Sequence, residues 1–452
     1  MATAGSKESI QTDCAAPTEE PYSKEYMRYA LWLLLGLSIV NFIDRAIVSI
    51  LAEPIKKELH LTDAQLGMVT GVGFAVVYVV FSLPIARLAE RWNRPWLIAG
   101  LALIWGSFTS LCGSAQGFMQ LVLFRTGVGF GESGFGPTAH SLISDYVPRA
   151  KRASALAFNA MGAPVGSLIG LVLGGLVADA FGWRAAFLLV GLPAVIFALL
   201  AFLTLREPRK LLAARAVQGP DTRATFVETL RYLAGKRAFW FVAVAAGTKT
   251  LINSGQAPFL VSFFLRNHGP EITQLSSGMG LKAIGFLGLA VGLLYGVPGA
   301  IGTYFGGWIA DRLAVKDRRN ILLTPAIASF LCVPLFAGVV LSQRIEVAFL
   351  FLALNFLVSS TWFGPTFSTA QSVVPPHMRA TSSALLGLIT TLVGTGIGPL
   401  AIGLLSDFGN HAMRLGPNEG LRWALLIISL FGAVAGTAYF LARQTLDRDM
   451  VS

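Results

Sequence analysis

The sequence predicts an all-α membrane protein with twelve transmembrane helices in two pseudo-symmetric six-helix bundles. Three observations carry that prediction. The 452-residue chain is 54% hydrophobic and only 13% charged, whereas about a quarter of the residues in a soluble globular chain are charged. Twelve apolar runs are long enough to cross a bilayer, which takes about 20 residues as a helix. They lie near 27–52, 64–87, 95–113, 117–143, 152–180, 184–205, 237–265, 283–310, 320–342, 345–372, 380–406 and 421–442. The third observation is an internal repeat. Phe135-Gly136-Pro137-Thr138 recurs 228 residues later as Phe363-Gly364-Pro365-Thr366, and Asp179 recurs at the same offset as Asp407. Val147-Pro148 with Arg152-Ala153 recurs as Val374-Pro375 with Arg379-Ala380 at an offset of 227. An even number of helices per half gives both halves the same topology, related by an axis along the membrane normal.

The elements follow in order. Residues 1–24 carry mixed charge without an apolar core or a cleavage site, and read as a disordered tail with the first span retained. Residues 25–206 form the first bundle, 207–236 a linker, 237–443 the second bundle and 444–452 a second tail. In the linker, Phe226, Leu230 and Leu233 recur at helical spacing against Arg223, Glu228 and Arg231, which suggests a short helix on the membrane surface or in solvent. Of 35 Lys and Arg, 24 lie on the side of the termini, 8 on the other side and three (Arg45, Arg125, Lys249) within spans. This asymmetry predicts cytoplasmic termini in a plasma or inner membrane. The +11 net charge then reflects an anionic leaflet, and nucleic acid is not an expected partner. Cys14, Cys112 and Cys332 are isolated, so neither a disulfide framework nor a metal site is expected.

Span 4 concentrates the chemistry. Arg125 and Glu132 sit seven residues apart in FRTGVGFGESGFGPT, on one helix face about 10 Å apart along the axis. Charges inside a membrane are costly and take partners. The five glycines of this stretch, Gly127, Gly129, Gly131, Gly134 and Gly136, permit close approach of a neighbouring helix. Span 1 supplies Asp44 and Arg45, and opposite chain directions put Asp44 at the depth of Arg125, with Glu132 about 10 Å deeper. Two readings are open: acids that exchange an arginine partner for a proton, coupling protons to a conformational change, or a static charge cluster that pins two helices.

A second duplicated element joins spans 2 and 3 and spans 8 and 9. One copy is Gly307-Trp308-Ile309-Ala310-Asp311-Arg312, the other Ala86-Arg87-Leu88-Ala89-Glu90-Arg91-Trp92-Asn93-Arg94. This Gly-x-x-x-Asp-Arg pattern resembles the signature of the major facilitator superfamily. The first copy departs from it at Ala86, Glu90, Asn93 and Pro95; Asn93 is expected to keep the turn because Asn tolerates positive φ. Glu90, Arg91, Arg94, Asp311 and Arg312 form a candidate cytoplasmic latch, since an acid can reach the N-terminus of a neighbouring helix; a plain surface ion pair is the alternative. Within the superfamily, the N-terminal half is similar to the spinster-type branch. The resemblance lies in Asn41-Phe42-Ile43-Asp44-Arg45, Glu90-Arg91-Trp92-Asn93-Arg94, Gly129-Phe130-Gly131-Glu132-Ser133, Pro164-Val165-Gly166-Ser167, Gly182-Trp183-Arg184 and Arg206-Glu207-Pro208.

The resemblance implies an alternating-access secondary transporter that moves lysolipids or sphingoid phosphates with protons, with spans 1 and 4 on the central cavity. It assigns proton coupling to Asp44, Glu132, Arg45 and Arg125. Repeat alignment sets Ser360 opposite Glu132, Ala353 opposite Arg125, Asn253 opposite Asn41 and Gln256 opposite Asp44, so the C-terminal half lacks those charges. Lys249, Arg125, Asn253, Gln256 and Ser133 are the substrate-binding candidates, with Lys249 drawing an anionic head group. A hydrophilic organic anion or sugar is the second substrate reading. Channel and enzyme readings lack support: the chain has no nucleotide loop, metal cluster or Ser/His/Asp constellation, and its five histidines, His60, His140, His268, His377 and His411, are scattered. No cofactor is implied, and a monomer is expected.

Overall fold

The computed structural model describes residues 22–148, 151–209 and 226–451. Residues 1–21 of the N-terminal tail, with Cys14, and residues 210–225 of the linker, with Arg223, lie outside them. Span 1 is Lys24–Glu58, span 2 Asp63–Arg91 and span 3 Arg94–Cys112. Span 4 is Phe118–Ser133 continued by Phe135–Tyr146. Spans 5 and 6 cover 152–181 and 183–204, separated only by Gly182 at φ 84°, a backbone conformation that glycine adopts without a Cβ penalty. Span 7 is Arg237–Asn267. Spans 8 to 12 are Ala283–Lys316, Arg318–Leu341, Ile345–Ser372, Thr381–His411 and Gly416–Asp449.

Among the described residues, nine helical runs are long and apolar enough to cross a bilayer, with spans 5 and 6 counted as one run. Spans 4 and 7 fall short of that apolarity. They are the spans that carry Arg125 with Glu132 and Lys249, so their polarity marks where function sits.

Span 4 is held closely on two sides. A Cβ at Gly129 would lie 2.5 Å from the Phe74 carbonyl oxygen of span 2, and one at Gly131 would lie 2.6 Å from the Trp105 nitrogen of span 3. The glycine face thus receives both neighbours, as its spacing predicts, although Gly136 meets nothing. The linker helix Phe226–Ala234 buries Leu233 in a cluster with Ala238, Phe239 and Tyr439 of spans 7 and 12, while Leu230 stays exposed.

One local expectation needs correction. Asn93 does not adopt positive φ; at φ −66° it caps span 3, its side chain accepting the Trp96 N–H at 3.1 Å, with Pro95 in the first turn. A helix start leaves N–H groups orphaned and tolerates Pro there, so the cap replaces the turn that a glycine would make.

The halves are joined asymmetrically. At the end away from the termini, Arg266 of span 7 bonds Glu53 of span 1 at 2.9 Å and Asp63 of span 2 at 2.9 Å. Asp407 of span 11 accepts the N–H groups of Asp63 at 3.1 Å and Ala64 at 2.8 Å, an anion placed at a helix N-terminus. Thr62 and Gln65 complete that end with a capping box. Lys282 of span 8 bonds Asp179 of span 5 through side chain and backbone. At the end that carries the termini, no hydrogen bond or ion pair among the described residues joins the halves. The bundles therefore close on the far side and stand apart on the terminal side.

Candidate functional site

Span 1 runs away from the terminal side and span 4 runs back, which sets Asp44 and Arg45 beside Arg125 and Glu132. Arg45 Nε bonds Glu132 Oε2 at 2.6 Å, and Arg125 Nη1 lies 3.4 Å from Asp44 Oδ1. The second Asp44 oxygen accepts the Thr109 hydroxyl at 2.7 Å. Asp44, Arg125 and Glu132 are each 2% exposed or less, whereas the Arg45 side chain is 31% exposed. Arg45 is thus the member that meets solvent and holds a buried acid.

The quartet is incompletely satisfied. Glu132 Oε1 and Arg125 Nε are buried without a hydrogen-bond partner. The aromatic rings of Phe74 and Tyr78 lie 5.1 Å from the Arg45 guanidinium, and Phe74 is also 5.4 Å from that of Arg125. A ring between two guanidiniums stabilises both by cation–π attraction. Thr109, Phe74 and Tyr78 were not legible as site residues. Their available signal was spacing: Phe74 and Tyr78 are one helical turn apart on span 2, beside the Gly129 that lets span 4 approach.

The substrate candidates divide. Asn253 is exposed, and its Oδ1 accepts the Ser359 hydroxyl at 3.1 Å. Lys249, Gln256 and Ser133 are buried. The Ser133 hydroxyl turns back to the Phe130 carbonyl at 2.7 Å, and Arg125 is committed to Asp44. Lys249 lies inside the C-terminal bundle, with Nζ 3.1 Å from Cys332 Sγ. It does not join the quartet.

The latch residues also divide. Arg94 is buried and bonds Asp145 at 2.7 Å and Ser141 at 2.9 Å in its own half, and Glu207 at the start of the linker. Burial raises the Glu207 carboxyl, but the hydrogen bonds and charge of Arg94 outweigh it and hold the acid below its ordinary value. Arg209 bonds the Glu90 carbonyl at 2.7 Å. Asp311 is exposed and Arg312 stacks 3.8 Å from the Trp308 ring. Among the described residues, Glu90, Arg91 and Asp311 make no side-chain ion pair, so the element is disengaged where the halves stand apart.

Two six-helix bundles, closed at one end and holding ionised groups where they meet, define a membrane transporter and not an enzyme. The family model of the Major Facilitator Superfamily matches residues 34–394, and the chain belongs to that superfamily. It is 32% identical over 423 residues to an MFS-type efflux pump of Mycolicibacterium smegmatis, covering 93% of this chain and 94% of that protein. It is 27% identical to protein spinster homolog 1 of Homo sapiens, covering 90% and 79% of the two chains. Among solved structures, it is similar to a bacterial homolog of the human lysosomal transporter Spinster in an inward-facing, unoccupied conformation. That match has a TM-score of 0.84 and 27% identity, and covers 95% of this chain and all of the other.

Proposed function

We propose that the protein is a proton-coupled secondary transporter of an amphiphilic organic anion, such as a lysolipid or a sphingoid phosphate, working by alternating access as a monomer. The observation that carries this reading is the buried Glu132, held on one oxygen by a partly exposed arginine and free on the other. An anionic head group that engages Arg45 competes with Glu132. The acid so released has lost its counter-charge in a dry site and takes a proton on Oε1. Binding of anion and proton are thereby linked, with Asp44 and Arg125 as a second pair beside the first. Asn253, exposed on span 7, is the C-terminal contribution to the polar end of the substrate.

We place the termini in the cytoplasm of a plasma or inner membrane, from the Lys and Arg asymmetry. On that placement the conformation described above is inward-open. The resemblance to spinster proteins supports the amphiphilic substrate class.

The test is proteoliposomes with an imposed pH gradient, assayed beside melting curves. Glu132→Gln and Asp44→Asn keep shape and hydrogen bonding but cannot titrate. Gradient-driven accumulation of a lysolipid should fall at least tenfold while the variants still fold and exchange substrate. Stable variants that still concentrate substrate would falsify the coupling role, and uptake of a hydrophilic organic anion in place of the lysolipid would overturn the substrate class.

A further inference from the structure

We infer that the core of the C-terminal half holds a binding site for a small inorganic anion of halide size, built on Lys249 and Gln256. Lys249 is 1% exposed. Its one hydrogen bond among the described residues runs to Cys332 Sγ at 3.1 Å, and a thiol is a weak acceptor that leaves two of the three ammonium N–H groups unused. Among the described residues no carboxylate pairs with it. An isolated buried cation is among the most costly arrangements inside a membrane protein, and a counter-charge supplied by a small bound anion would relieve that cost.

The surroundings say what kind. Lys249 lines a small cavity with Asn253, Gln256, Cys332, Asn355, Ser359 and Ser429. The polar groups that are already bonded spend themselves on the protein: Asn355 Nδ2 donates to the Cys332 carbonyl at 3.2 Å, Ser359 to Asn253 and Ser429 to the Leu426 carbonyl at 2.6 Å. What remains unpartnered is the buried Gln256 Nε2, a donor. A cavity whose spare groups are an ammonium and an amide N–H suits an anion, and a water molecule would leave the charge uncompensated. The cavity has room for about one water-sized sphere, which excludes a phosphate or an acyl-chain carboxylate and leaves a monatomic anion as the occupant to test.

The internal repeat gives the same answer. In the N-terminal half, an ionised residue on the first span bonds the third span (Asp44 to Thr109) and finds its counter-ion on the fourth (Arg125). In the C-terminal half the position opposite Asp44 is Gln256, an uncharged amide, and the repeat position of Arg125 on span 10 is Ala353; Lys249 stands seven residues before Gln256 on span 7 and bonds span 9. Among the described residues no counter-ion faces Lys249, and a bound anion would complete the geometry by linking spans 7, 9, 10 and 12.

The experiment is thermal melting of the full purified chain in detergent, titrated with sodium chloride or bromide against sodium gluconate at constant ionic strength. A ligand that binds only the folded state raises the midpoint in a saturable way. The midpoint should rise by a few degrees with halide and not with gluconate. Lys249→Met should abolish the response. Gln256→Glu supplies a carboxylate in the same cavity, so it should melt in gluconate where the parent melts in saturating halide; it keeps the test intact if Lys249→Met does not fold. Equal midpoints in chloride and gluconate, or a halide response retained in Gln256→Glu, would overturn the inference. So would protection by a lysophosphatidate with halide inert, because the charge would then belong to the transported substrate.

Discussion

The two halves share a chain path but treat buried charge in opposite ways. The N-terminal half buries two acids against two arginines in pairs of 2.6 Å and 3.4 Å, one of the arginines partly exposed. The C-terminal half buries one lysine against a thiol. Paired groups can change partners and so can carry a proton through a conformational cycle; a lone cation can only wait for a ligand. The repeated chain path is common to both halves, and a few side chains make the difference between paired and lone buried charge.

Several substitutions break that comparison, and the largest effect is expected where the halves meet. Arg266→Ala removes the shared counter-ion of Glu53 and Asp63, whose side chains are 5% and 4% exposed, and leaves Asp63 with Lys56 at 2.5 Å and Glu53 with Lys57 at 3.8 Å. Removing one partner of a buried ion pair costs up to about 3–5 kcal/mol, lessened here by the two remaining lysines, and the loss is drawn from the closed far side. Distances between spin labels on spans 1 and 7 at that end should lengthen, and unchanged distances would show that the glycine-lined contacts alone hold it shut.

Next in size are two arginine and lysine changes that should differ in sign. Arg45→Met leaves Glu132 buried without its cation and should destabilise the chain by about 3–5 kcal/mol at neutral pH. Lys249→Met in halide-free buffer removes an unpaired charge, keeps its volume and should leave the melting midpoint equal or higher. Equal losses from both variants would erase the distinction between the halves.

A smaller effect separates the Arg94 cluster from the quartet. The Glu207 carboxyl lies below its ordinary value in the folded chain, so the stability it adds is complete above the ordinary value, about 4.3, and is lost as pH falls through the lowered one. Melting midpoints of the parent and of Glu207→Gln should therefore differ at pH 7, begin to approach one another as pH falls below about 4.3 and converge only beneath the lowered value. A gap that persists in acid would assign Glu207 a role in packing and not in charge.

How much of this was legible follows from which signals are periodic. The common depth of Asp44 and Arg125 could be placed from chain direction and rise per residue, because two antiparallel helices share a depth scale, while the adjacency of spans 1 and 4 came from the family resemblance. The glycine face of span 4 was equally readable. Thr109, Phe74 and Tyr78 were not, since a hydroxyl and two rings in apolar helices carry no mark of their neighbours until the helices are packed. Arg266 was missed for a related reason: it lies at a span end, where a basic residue reads as a membrane-surface charge, and only tertiary structure brings Glu53 and Asp63 to it. Lys249 was singled out for its charge, yet its surroundings depend on helix rotation, which hydropathy does not fix.

The smallest expected effect belongs to Asp311, and its smallness is informative. Asp311 is exposed and unpaired among the described residues in the conformation that is open on the terminal side. Its removal should cost that conformation almost nothing, as for other exposed charges, where pairs are worth about 1 kcal/mol or less. If the acid engages a neighbouring helix N-terminus only when the halves close on this side, Asp311→Ala removes about 1 kcal/mol from the closed state alone. That shifts the equilibrium between the two states about fivefold toward the one described here, since 1.4 kcal/mol is about a factor of ten. Melting curves would not register the change, but labels at the terminal-side ends of the two halves would, as a smaller closed population. An unchanged population would make the duplicated element a loop support in both halves, and would leave the far-side contacts of Arg266 to set the conformational balance.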